Sequence, residues 1–376
     1  MSTTISDNES RNLAVPPAAD LDTLAAVRRS IPDFCYNRST KKSMIYVVRD
    51  FAIYAALIAA MVLVKQWYFD IPLILLTGVV VGGLFILGHD GAHGALTDSK
   101  KINGVSARLL MLPSLHVQES WVLGHNRVHH GFTARQGMDF VWHPVTVEEY
   151  QQYNLFKKLR HRIEWSPFGA GLYYLREVWW NKMITFRPPE KWAKAIWRDW
   201  WLVAGWAIFA TVASLVGGFF DYGSVAGTIW MWFKLVVGPF FIFNQVIGWT
   251  VYVHHVGPDI RWWKKNEWTR FRGQMESTTI MRFPWLANQI FHNIFIHVPH
   301  HVDMRIPWYE LPRAADAIEA AFPGTVVDEK FSLVRYFKSA HTCKLYDFEQ
   351  GKWLPYGASK ENSPARVPSK NTAVAL

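Results

Sequence analysis

Histidine is the residue type whose spacing in this sequence points to chemistry. His89 and His93 stand at i and i+4 in H-D-G-A-H. His125, His129 and His130 stand at i, i+4 and i+5 in H-N-R-V-H-H. His297, His300 and His301 stand at i, i+3 and i+4 in H-V-P-H-H, so on a helix their imidazoles share one face. These three groups hold eight of the fifteen histidines. Neutral imidazole is a common ligand for iron, zinc, copper and nickel. Eight exceed what one tetrahedral zinc can use, and the number suits two metal ions in a nitrogen-rich shell.

Other metal chemistries lack their residues. No H-E-x-x-H supplies a zinc-protease base, since Asp90 follows His89, Asn126 follows His125 and Val298 follows His297. No E-x-x-H pair is present, so a carboxylate-bridged di-iron bundle does not fit. Cys35 and Cys343 are far apart and form no thiolate site. His116, His143, His161 and His341 stand alone and read as structural, hydrogen-bonded residues. His292 precedes His297 by five positions and falls off its face. His254 and His255 are adjacent and cannot point the same way, so one of them is expected to be an additional ligand.

The elements that position these groups are apolar runs. Half of the 376 residues are hydrophobic, and they are segregated into four runs at about 44–64, 71–88, 199–220 and 226–253. Each is long enough to cross ~30 Å of hydrocarbon. Short turns pair the first with the second and the third with the fourth. The fold class expected is an all-α integral membrane protein. Four transmembrane helices would carry a cytosolic helical cap with the histidine-rich site. The twenty Trp suit the headgroup level of a bilayer. Between paired spans the turns hold a single basic residue, Lys65, and almost all other Lys and Arg flank the spans on the opposite side. By the positive-inside rule that side is cytosolic, as are both termini. The net charge of +10 is thereby accounted for without nucleic acid. All three histidine groups and His255 land on this one side. A metal or haem transporter would instead place ligands at mid-membrane in broken helices.

Residues 1–43 read as a flexible cytosolic leader, 44–348 as the functional domain, and 349–376 as a polar, disordered tail. The stretch 105–115 is too short to span and is expected at the interface. The stretch 167–186 reads as an interfacial helix or as a packed surface helix. Asn244 and Gln245 inside the fourth run are expected to join helices or to line a substrate path.

With these residues in view, the chain resembles the membrane fatty acid desaturases, the acyl-lipid branch with the delta-12 and omega-3 enzymes. G-H-D-G-A-H-G at 88–94 is similar to that family's first histidine box. H-N-R-V-H-H, trailed by Asp139 and V-W-H-P, is similar to the second. F-H-N-I-F-I-H-V-P-H-H is similar to the third, and V-Y-V-H-H-V-G-P places His255 at the family's additional histidine. The likeness runs from about Phe51 to Ala320. It departs at the second box, where three residues rather than the commoner two separate His125 from the pair. P-W-Y-E-L-P after the third box is similar to carotenoid ketolases.

The resemblance implies a site of two iron ions that uses O2 to remove two hydrogens from a fatty acyl chain. Its ligands would be His89, His93, His125, His129, His130, His297, His300 and His301, with His255 a ninth. Asp90, Asp139 and Asp303 are candidates for orienting imidazole N–H groups. No flavin or haem motif is visible, so electrons must come from an external donor. An acidic carrier such as ferredoxin, or cytochrome b5 with its reductase, would suit the basic face. A related hydroxylase or ketolase acting on an acyl chain, alkane or carotenoid is the alternative. A bacterial inner membrane and the endoplasmic reticulum fit equally.

Overall fold

The computed structural model describes residues 22–358. Four helices in it are long and apolar enough to cross a membrane: Thr40–Leu63, Trp67–His93, Glu190–Tyr222 and Val225–His255. They cover the four expected runs. Ser39 and Ser224 fix the starts of the first and fourth, their hydroxyls accepting from Lys42 N and Gly227 N. The second ends on Gly94 at φ 76°, a left-handed cap that suits glycine. His89 and His93 therefore occupy its last turns.

The second span is the central one. Of its apolar window 61% is buried, against 11% and 17% for the first and third. It packs closely on the fourth: a Cβ on Gly78 would fall 2.4 Å from Ile242 Cβ. The first and third spans leave Ile53, Leu63, Ile208, Phe209, Val212 and Phe220 exposed, the surface that lipid would cover. Exposed Trp67 and Tyr68 lie at the hairpin-turn end, and exposed Trp197 and Trp201 at the other, as aromatic belts do.

Buried charged groups inside the spans are partnered. Lys65 and Asp221 join the two hairpin turns. Buried Lys234 lies 3.2 Å from Asp70, which also accepts from Trp230 Nε1 at 2.7 Å. The expected role of Asn244 and Gln245 divides. Gln245 Oε1 accepts from Gly171 N at 3.1 Å and so joins helices, whereas Asn244 Nδ2 donates to Phe240 O in its own helix.

Opposite the hairpin turns sits a cap built mostly of short helices. Two small sheets complete it: Thr279–Arg282 pairs in parallel with Val327–Lys330, and Leu345–Asp347 pairs antiparallel with Lys352–Leu354. The helix through 170–184 buries Tyr173, Tyr174, Val178 and Met183 and turns Leu172 and Trp180 outward. Lys100–Met111 exposes Ile102, Val105 and Leu109 in the same way.

Two expectations need correction. The leader expected to be flexible over 1–43 is folded where it is described. Helix Leu24–Ser30, capped by Thr23, buries Ala26 and Val27 against a core that includes Phe271, Val298, Val302 and Leu311. Seven residues bearing two arginines carry too short an apolar period to stand out, and tertiary packing alone stabilises such a helix. The tail expected to be disordered over 349–376 begins with a strand, in which Trp353 and Leu354 are buried. The rest of both calls, 1–21 and 359–376, lies outside the described residues.

Candidate metal centre

Four elements converge at the cap end of the spans. The second span brings His89 and His93, the helix through 118–132 brings His125, His129 and His130, the fourth span ends in His255, and helix His297–Val302 brings the third group. Two clusters result. His89, His93, His125 and His300 form one, and His129, His255, His297 and His301 the other. Within each, four nitrogens lie within 4.8 Å of one another. The third group therefore does not serve one site. Its short helix wedges between the clusters, with His300 in one and His297 and His301 in the other.

The second group is arranged by its backbone. On a regular α-helix, residues five apart point roughly 140° away from each other. Here Val122–His129 is a π-helix, and His130 N donates to His125 O. The wider turn restores the i, i+5 pair to one side. His125 Nε2 and His130 Nε2 consequently lie 3.1 Å apart. His130 thus joins the first cluster's edge, and its ring also stacks on His301 at 4.3 Å between centroids.

The orientation of the rings is set from behind. His129 Nδ1–H donates to Asp139, His89 Nδ1–H to Asp90 at 3.2 Å, and His301 Nδ1–H to Gln274 Oε1 at 2.7 Å. His255 Nδ1–H donates to Ser277 O and His297 Nδ1–H to Ile294 O. His93 Nδ1 lies 3.1 Å from Met304 Sδ. A carboxylate or carbonyl can only accept, so these partners fix the proton on Nδ1 and leave the Nε2 lone pair free. The Nε2 atoms of His89, His93, His255, His300 and His301 are buried without a partner. Buried polar atoms are almost always satisfied, so five orphaned ring nitrogens in two clusters are what a bound cation would satisfy. Burial, followed by repulsion from neighbouring imidazoles, holds His125, His130, His297, His300 and His301 well below the ordinary histidine range. They are neutral at pH 7, the form that binds metal.

The structure separates bystanders from cluster members. His116 has both nitrogens satisfied, by Ser114 O and Tyr174 OH. His161 bonds Tyr356 OH, and His292 bonds Asp50 at 2.8 Å. His254 faces away from His255 and stacks on His297 at 3.8 Å. One expectation is corrected: Asp303 orients no imidazole. Arg28 and Arg305 lie within reach of its buried carboxylate and take it up, because guanidinium is the stronger donor. Gln274 and Ser277 had no signature in the sequence. They come from a loop and short helix whose position only the folded chain reveals.

Both clusters border a cavity of about 70 Å³ lined mostly by apolar side chains. Phe85, Trp121, Tyr174, Met183, Ile247 and Val251 line it beside His89, His125, His129, His255 and His297. A largely apolar lining of this kind suits a hydrocarbon group.

Comparison with known proteins identifies the family. The family model described as fatty acid desaturase matches residues 65–329. The sn-1 acyl-lipid omega-3 desaturase (ferredoxin) of Nostoc sp. (strain 36) is 28% identical over 79% of this chain and 80% of its own length. The endoplasmic reticulum omega-3 fatty acid desaturase of Nicotiana tabacum is 28% identical over 80% of this chain and 78% of its own. The chloroplastic omega-6 fatty acid desaturase of Glycine max is 26% identical, with 89% of this chain and 76% of its own covered.

Proposed function

The chain belongs to the fatty acid desaturase family, and from that premise we propose that its two histidine clusters hold a pair of iron ions for O2-dependent desaturation of membrane acyl lipids. It is a membrane oxidoreductase that introduces double bonds into fatty acyl chains. Iron and O2 would supply the attack on an unactivated C–H bond, which protein side chains cannot perform.

The chain's own residues do the rest. Asp90, Asp139, Gln274, Ser277 O and Ile294 O hold five imidazoles in one tautomer with Nε2 forward. The ligand set we assign is His89, His93, His125, His130 and His300 for one ion and His129, His255, His297 and His301 for the other. The apolar cavity walls, among them Phe85 and Val251, would place an acyl chain against both clusters. In net terms the acyl chain gives two electrons and two protons, and an external carrier gives two electrons. With two solvent protons, O2 then leaves as two waters. A ferredoxin donor is supported by the names of the cyanobacterial relatives and by the basic cap. The basic-residue asymmetry supports a cytosolic cap with both termini cytosolic. One desaturase domain would run through residues 24–354, from the first to the last element among the described residues.

The observation that carries this reading is the pair of four-histidine clusters beside an apolar cavity. Lipid profiling of a host expressing the chain tests it. We expect a new acyl species two mass units lighter, and about two iron per chain in the purified protein. A product heavier by oxygen, or full activity with zinc in place of iron, would overturn it.

A further inference from the structure

The clusters present two different sides. The apolar cavity touches His89, His125, His129, His254, His255 and His297 but not His93, His130, His300 or His301. Away from the cavity, His93 is only partly buried, and its Nδ1 meets the Sδ of partly buried Met304. The next residue, Arg305, lines an open groove together with Arg28, Arg29, Asp33, Tyr36 and Arg38.

We propose that this groove is the docking surface for the electron donor, an acidic ferredoxin, and that Met304 and His93 are the shortest way from it to the metal centre. The proposal rests on the desaturase reading, which requires two electrons from outside the chain. Each docking passes one electron from the reduced carrier, so two dockings supply one turnover.

The charge of the groove fits an acidic partner. Arg28 and Arg305 share the single buried carboxylate of Asp303, which leaves one positive charge in excess. Arg38 is balanced by Asp98, and Asp33 offsets one further cation of the lining. Arg29 is exposed and has no acidic partner among the described residues. Lys42 adds a further cation nearby, 4.0 Å over the ring of Tyr309, whose hydroxyl accepts from Ser39 N. Such a surplus steers an acidic protein to one face and speeds its encounter.

The groove is also built onto the site. Arg38 Nη1 donates to Gly94 O at 3.0 Å, one residue beyond His93. Arg28 Nε donates to Val302 O at 2.9 Å, one residue beyond His301. The guanidinium groups are thus fixed to the backbone that carries two histidine groups. A carrier seated there would be held at a constant distance from His93, as electron transfer requires, and on the side away from the acyl chain.

The test measures binding, with or without iron in the protein. Full-length protein in phosphatidylcholine nanodiscs is titrated with reduced plant-type [2Fe–2S] ferredoxin at low and high salt. Wild type should bind, and less tightly as salt rises, because exposed charges are screened over ~10 Å at 0.1 M. Arg29→Glu and Arg305→Glu together should weaken binding by about tenfold at low salt. Lys338→Glu, outside the groove, should not. Arg29→Lys should become cross-linked to ferredoxin carboxylates by a carbodiimide. Unchanged affinity in the double variant, equal loss in Lys338→Glu, or no binding by wild type overturns the proposal. So does a double variant that loses affinity only for phosphatidylglycerol vesicles, which would make the groove a lipid-headgroup site. Failure of the desaturase reading would show separately, as absence of any new acyl species in the expressing host.

Discussion

His129 Nδ1 lies 3.0 Å from both carboxylate oxygens of Asp139, and both residues are buried. The same carboxylate accepts from Ala134 N at 2.7 Å and Val141 N at 3.0 Å. It therefore has no room for an amide in its place: Asn at 139 would turn an NH2 toward one of three donors. Asp139→Asn should loosen the tautomer and aim of His129. We expect metal affinity to fall about 10- to 100-fold, read as iron retained after dialysis against a graded chelator. Retention equal to wild type would remove Asp139 from the ligand-orienting set.

A second relationship ties the first span to the third histidine group. His292 Nε2 lies 2.8 Å from Asp50, and Arg49 bonds both Asp50 at 2.7 Å and Gln289 O at 2.8 Å. His292 and Asn293 carry φ of 47° and 53°, a left-handed turn that non-glycine residues rarely adopt. The pairing with Asp50, and Asn293 Nδ2 donating to Trp308 O, hold that turn just before His297. Asp50→Ala would leave His292 buried without its partner, a loss on the order of 3 kcal/mol. The melting temperature should drop by several degrees, and iron should be lost more readily. A Gly83→Ala variant should act in the same direction, since its Cβ would fall 2.7 Å from Ile290 O. Wild-type melting of Asp50→Ala would mean that this pair does not hold the turn.

These two relationships mark what the sequence could and could not display. The spans and histidine groups were legible because hydrophobic runs and helical spacing are local signals. The departure in the second group, His125 to His130, made sense only once the π-helix supplied the wider turn. Asp50 and His292 are 242 residues apart, and Gln274 reaches His301 from a helix with no motif, so no periodicity could pair them. Asp303 was misread because proximity to His301 in sequence outweighed two arginines that fold over it. The leader helix was missed because its apolar face, Ala26 and Val27, is two residues wide.

Acid should destabilise the iron-free fold through its buried histidines, those outside the clusters as well as those within. Burial, then Lys344, Arg160 and Arg176, push His161 down to about 3, and burial pushes His116 down to about 4. An unfolded chain titrates these groups near 6.5. Below that pH the unfolded state takes up protons that the folded state refuses. Their contribution to stability is therefore complete above about 6.5 and declines as pH falls toward 3 to 4. Iron-free protein melted between pH 7.5 and 5 should lose stability steadily, and His161→Gln should flatten the decline. A decline as steep in the variant as in wild type would assign the effect elsewhere.

The last prediction separates two adjacent histidines. His255 Nδ1–H donates to Ser277 O at 3.1 Å, and its Nε2 is buried with no partner. Its ring lies 4.7 Å from that of His129 and 5.2 Å from that of His301, inside the second cluster. His254, one residue earlier, is not among the four clustered nitrogens although it lies beside them. Its two nitrogens are also unpartnered, but its ring stacks flat on His297 at 3.8 Å and borders the cavity. The two side chains thus do different work. Removing His255 takes away one of four nitrogens from a site that has no spare ligand. His255→Ala should keep about one iron of two and lose desaturation, while membrane insertion is unaffected. Removing His254 takes away only the surface on which His297 rests. His254→Phe preserves that flat contact and should keep both irons, whereas His254→Ala should lower retention modestly by letting His297 tilt. Iron per chain, measured by mass spectrometry beside melting temperature, distinguishes the cases. Full iron in His255→Ala would remove it from the ligand set. Loss of one iron in His254→Phe would mean that His254, and not its stacking surface, holds the metal.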